Sequence, residues 1–211
     1  MGRCRGAPAP RHADGGNAMD HGRSGARRRG HGERGAVLVE AVLILPILLA
    51  LTFGAIEFGF GFSRRAAVES LARTGARTAA ANSGAADVAG SSADGMSLAA
   101  RDAVNAALGT GSLPTMNTLY VYKDGFGPGA GGACGTYCSQ FTFDTSTKQF
   151  GNPSGGSGWP KANRNYCPPN ADKVVVEIRS THNFITGLFG ASIGFVSKAT
   201  MQLEPQASCA G

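Results

Sequence analysis

The chain has 211 residues, 42% of them hydrophobic, and a formal net charge of +6. That length allows one modest domain plus an anchor. The positive charge is not spread: residues 1–35 hold eight arginines against Asp14, Asp20 and Glu33, and the remainder is nearly neutral with 12 basic and 11 acidic residues. This distribution excludes a basic nucleic-acid-binding surface on the folded part, and the arginine block has no interleaved aromatics to stack on bases.

Residues 1–34 are rich in Gly, Arg and His with almost no apolar content, which predicts a disordered leader ending at Gly35. The apolar segment 36–62 follows, and the arginines before it predict that this end stays cytoplasmic. Between Glu40 and Glu57 lie 16 uncharged residues, roughly 24 Å of helix. Extension to Ala36 and Phe62 gives about a full bilayer crossing, with the two glutamates toward opposite headgroup regions. A cleaved secretory signal would have a shorter apolar core with a small-residue site just behind it, whereas Ser63, Arg64 and Arg65 follow here. An acid in such a segment costs roughly 3 kcal/mol at the membrane centre, so Glu40 calls for a purpose. Pro46 denies the Val42 carbonyl its donor and should loosen or kink the helix there. Glu57, beside Phe58, Phe60 and Phe62, reads as an interfacial anchor, with contact to a partner subunit as the second reading.

The helical pattern continues over 63–82, where Val68, Leu71, Ala72, Gly75 and Ala79 recur at three- and four-residue steps. Most of that face is small, which allows close helix approach. One helix over 36–82 is the expectation, with a break at Gly59 or Gly61 as the alternative. A Ser/Ala/Gly-rich linker, 83–96, precedes a head over 97–211. The head should open with an amphipathic helix over Ser97–Leu108, capped by Ser97. Strands are predicted over Thr118–Lys123, Gln140–Asp144, Lys173–Arg179 and Gly194–Leu203. GFGPGAGGACG and GNPSGGSGWP read as loops, and Phe184–Phe189 as a short helical turn. The expected fold class is therefore α+β: a long N-terminal helix, transmembrane and then soluble, and a small head of one short helix on an antiparallel sheet of about four strands.

Cys134, Cys138, Cys167 and Cys209 follow the apolar helix, and four cysteines in an exported domain suggest two disulfides. The C-x3-C spacing is a weak zinc signal without a tight CxxC pair, so no metal is expected. Cys134 and Cys138 are so close in sequence that each is expected to pair with a distant cysteine. Catalytic constellations are missing from the sequence. His182 is the single histidine after the anchor, and no G-x-S-x-G, H-E-x-x-H or Walker A pattern occurs. Neither an enzyme nor a cofactor is expected.

The stretch RGAVLVEAVLILPILLALTFGAIEFGFGFSRRAAVESLARTGARTAAA resembles the TadE-like pseudopilins of the tight-adherence (Tad) pilus, a branch of the type IV pilin-like proteins. The matching features are Arg34-Gly35, Glu40, Leu45-Pro46, Gly54, Glu57-Phe58-Gly59 and Ala-Arg-x-Gly-Ala-Arg at 72–77. Residue 41 is Ala where an aromatic often follows the acid, which sets the chain apart from major Flp-type pilins. The resemblance implies prepilin peptidase cleavage between Gly35 and Ala36, and an assembly role for Glu40, with Pro46 and Glu57 as further assembly positions. It also implies a non-enzymatic subunit in the cytoplasmic membrane with an extracytoplasmic head. Its partners would be membrane lipid, the peptidase, other Tad pilins or pseudopilins and the inner-membrane assembly platform. The reading from another class is a signal-anchored surface protein whose head binds a ligand or polymer.

Overall fold

The computed structural model describes residues 31–109, 114–187 and 190–207. The leader up to residue 30 and Cys209 therefore lie outside the described residues. The chain divides into two compact units, Met1–Leu45 and Pro46–Gly211. Helix α1 (His31–Ala81) begins in the first and continues in the second, with Pro46 inside it. It starts earlier than the expected residue 36, so Gly35 is helical. Gly59 and Gly61 do not break it.

In the second unit, helix α2 (Gly95–Ala107) follows a short irregular segment. Its N-cap is Asp94, whose carboxylate accepts from the Ser97 N–H at 3.0 Å and the Ser97 hydroxyl at 2.8 Å. Ser97 is thus not the cap: an ionised acceptor bonds the orphan N–H groups and complements the helix dipole as well. Five strands come next: β1 (Thr115–Lys123), β2 (Cys138–Asp144), β3 (Gln149–Gly158), β4 (Lys173–Asn183) and β5 (Ser192–Gln202). They form one antiparallel sheet in the order β3-β2-β1-β4-β5.

The fold class is as expected, α+β with a long apolar helix, a short helix and an antiparallel sheet, but with five strands rather than about four. The added one, β3, occupies the segment read as a loop. As an edge strand it tolerates Pro153, and its register against β2 shifts three times. Phe184–Gly187, part of the expected helical turn, is a bend between β4 and β5, and residues 188–189 lie outside the described residues.

The sheet buries both faces. On one, Val174, Val176 and Ile178 of β4, Leu119 and Val121 of β1 and Phe141 of β2 pack against α1 and α2. The expected stripe supplies the α1 side: Val68, Leu71, Ala72 and Ala79 are buried, together with Ala76 and Ala80. Gly75 marks the tightest approach, since a Cβ there would sit 2.8 Å from Val104 Cγ2 and 3.2 Å from Val176 Cγ1. On the other face Tyr120, Tyr122, Cys138 and Val175 cluster with Cys134. Here the structure corrects the expected pairing: Cys134 is bonded to Cys138, its near neighbour. A helix or strand over 134–138 would hold the two apart, but Tyr137 adopts a left-handed φ of 54° and brings the Cα atoms to 5.5 Å. Cys167 is also disulfide-bonded.

Candidate functional site

Gly35 and Glu40 belong to the first unit. Gly35 is exposed and a Cβ built on it meets nothing within 4 Å. Glu40 is exposed as well, four residues after Ala36 and so one turn along the same helical face. Val37, Leu38, Val39, Val42, Leu43 and Leu45 around it are exposed too. Apolar residues on all sides of a helix are stable only if something other than water covers them. Among the described residues one helix is long and apolar enough to cross a membrane, within Val37–Ala81.

In the second unit the apolar segment continues from Pro46, and Ile47, Leu48, Leu51, Phe53 and Ile56 are exposed. Glu57, by contrast, is only 2% exposed. Its carboxylate faces neither solvent nor headgroups but the bend after β4. One oxygen accepts from the backbone N–H of Ile185 and, at 3.0 Å, from that of Thr186. The other accepts from the Thr186 hydroxyl. Hydrogen bonds to an ionised acceptor are about twice as strong as neutral ones, which compensates for burying the charge. Two turns further along α1, an Arg64 guanidinium nitrogen lies 2.9 Å from Nδ1 of His182, which is 1% exposed on β4. Phe58 and His182 both meet the Phe184 ring edge-on, at 6.4 and 5.4 Å. Gly54, Glu57, Gly61 and Val68, all buried, place these contacts on the same stripe that packs the stem against the sheet.

These partners were not legible beforehand. His182, Phe184 and Thr186 lie more than 100 residues from Arg64 and Glu57 in sequence, and no local pattern links them. The one available signal was Glu57 itself, an acid in an apolar run that demands donors.

A second buried charge ties the segment after α1 to the head. Arg164 is 6% exposed. It donates to the carbonyls of Ser83 and Ala85, both at 2.9 Å, to the Trp159 carbonyl at 2.6 Å and to Asp94 at 2.8 Å. Burial pulls its pKa down, and Asp94 and Asp87 oppose that shift. Trp159 is 1% exposed and its indole N–H donates to the Asn163 carbonyl.

Residues 35–77 match the family model described as TadE-like protein. No curated protein and no solved structure matches the chain. The matched stretch runs from Gly35 through Glu40, Pro46 and Glu57 to the small-residue face that packs under the sheet, and it stops before the head. Residues 35–77 of this chain are a TadE-like domain.

Proposed function

We propose that the chain is a Tad pilus-associated, pilin-like subunit that works by lateral packing of its N-terminal helix and carries out no catalysis. The observation that carries this reading is the exposed apolar helix of the TadE-like domain, with Glu40 one turn after the Gly35–Ala36 junction. Such a helix needs lipid before assembly and neighbouring stems after it. The arginine-rich leader would stay cytoplasmic and the sheet-bearing head would lie outside.

Prepilin peptidase would cut between Gly35 and Ala36. Gly35 suits this because its backbone is uncovered: a Cβ built there meets nothing within 4 Å. Cleavage leaves an α-amino group on Ala36 that is largely protonated near neutral pH. Glu40 then pairs with that amine on its own stem or a neighbour's, and the penalty for leaving a charge unpaired among apolar helices sets the axial register. Pro46 leaves one carbonyl free and lets the helix loosen as stems pack. Energy for moving subunits would come from partner proteins of the assembly platform.

The test is the mass of the mature chain together with the phenotype of Glu40→Ala. A mature N-terminus at Ala36, with Glu40→Ala inserted in the membrane but without pili, is the expected result. An intact leader in cells that assemble pili, or normal piliation in the variant, overturns the reading. An intact leader favours the alternative of a tethered surface protein.

A further inference from the structure

We propose that the cavity between α1 and the β4–β5 hairpin is a phospholipid site: it takes the upper part of one acyl chain, while His182 Nε2–H and the Arg65 guanidinium hold the lipid's ester and phosphate oxygens. This rests on the membrane reading given above.

The cavity has a volume of about 200 Å³ and apolar walls from Phe58, Phe62, Phe184, Ile193 and Phe195. That is below the ~300–1,000 Å³ of sites that enclose a whole small molecule, so it suits a segment of chain. Its opening is apolar too, since Phe62 is 68% exposed and Ile193 42% exposed. Within this apolar wall sits one unmet polar atom. Arg64 has only donors, so Nδ1 of His182 accepts its hydrogen bond and the neutral ring carries its proton on Nε2. Nε2 is buried without a partner, and an unmet buried donor costs roughly 1–3 kcal/mol. The helix leaves this edge of the ring uncovered at Gly61, where a Cβ would lie 3.6 Å from His182 Cδ2 and 3.8 Å from Nε2. The occupant therefore combines an apolar body with a hydrogen-bond acceptor.

Charge narrows it further. Arg65 lines the cavity and its side chain is 50% exposed. Its contact with Glu69, at 3.3 Å on the surface, is of the kind worth less than about 1 kcal/mol, so it is free to turn to a phosphate. Glu57, the acid in the lining, already accepts from the bend after β4 with both oxygens. Along α1, Arg65 stands seven residues beyond Phe58, a rise of about 10 Å. Phe58 and Phe184, in edge contact, thus lie toward the membrane segment and the cation away from it, the polarity of a lipid in the outer half of a bilayer. An apolar side chain from a second copy would fill the apolar part and give the cation nothing beyond its surface contact with Glu69.

The full chain reconstituted in phosphatidylcholine bilayers, with trace phospholipid spin-labelled on its acyl chain close to the ester, tests this by electron paramagnetic resonance. A parallel sample carries stearic acid labelled at the same carbon. A motionally restricted phospholipid component is expected, weakened roughly threefold to tenfold in His182→Phe, which removes the donor. It should be retained in His182→Gln, which keeps an N–H donor. Gly61→Leu, which fills the cavity, should abolish it with the fold intact by circular dichroism. Equal spectra for the wild-type chain and His182→Phe overturn the site, as does restriction of the fatty acid alone, or capture of a second copy rather than lipid by a photoreactive side chain at Phe62. A chain that inserts without restricted lipid refutes this site only, whereas a chain that does not insert refutes the membrane reading with it.

Discussion

Glu177 shows how a charge survives inside the head. It lies on β4, 1% exposed, and accepts from Tyr122 Oη at 3.0 Å, Arg179 Nε at 2.8 Å and Lys198 Nζ at 3.0 Å. Burial pushes its carboxyl upward, but the hydrogen bonds from Arg179, Lys198 and Tyr122 outweigh that and hold it below the ordinary range. Burial and the same carboxylate push the Tyr122 phenol up. A carboxyl depressed in the folded state adds stability that is complete above its unfolded pKa, about 4.3, and is lost as pH falls through the folded value. Thermal melts of the full chain in detergent should therefore show stability falling from about pH 4.3 downward, with a shallower fall in Glu177→Gln. An identical slope in both would contradict the role given to this carboxylate. In the sequence Glu177 was one acid in KVVVEIR, and nothing local marked it as buried. Arg179 is two residues along β4, but Tyr122 and Lys198 come from β1 and β5, and a strand register across 55 residues of intervening chain is not written in either strand.

At the scale of elements, the α1 face was legible because it repeats. Three- and four-residue spacing of small residues identified the stripe, and α1 buries it against α2 and β4. Gly75 is its pivot. Leucine there would gain helix propensity of about 1 kcal/mol over glycine, but its first carbon already meets Val104 and Val176. Overpacking a filled core costs about 1–3 kcal/mol, sometimes more, so net of that gain Gly75→Leu should lower unfolding free energy by roughly 1 kcal/mol or more in denaturant titrations. No loss would mean that the helix and sheet part easily at this point. The edge strand β3 escaped detection for a physical reason. Gly, Ser and Pro carry no strand preference, and what makes QFGNPSGGSG a strand is a neighbour, β2, that supplies the pairing. The bond between Cys134 and Cys138 depends on a left-handed residue at Tyr137, which spacing alone does not reveal.

Across the molecule, the contact that ties the apolar segment of α1 to the head is Glu57 with the bend after β4. A charge-assisted hydrogen bond contributes about 1.5–3 kcal/mol. Glu57→Gln keeps the shape and loses the charge, so amide exchange at Ile185 and Thr186 should quicken roughly tenfold or more. Exchange in β1 and β4 should stay as it was. Unchanged exchange at the bend would show that the contact holds nothing. The sequence marked Glu57 as a position of interest but assigned it outward, because composition reports that an acid needs company and not where the company is.

Arg164 has a mechanical consequence. Its guanidinium grips the carbonyls of Ser83 and Ala85, just past the last turn of α1, and the Asp94 carboxylate at the head of α2. The Ser83 hydroxyl and the Ala80 carbonyl also bond the backbone of Glu204 beyond β5. Tension drawn along the stem therefore enters the sheet through several bonds loaded in parallel, at a junction with little slack. A fibre built from such subunits would transmit a pull to the head without first stretching a tether.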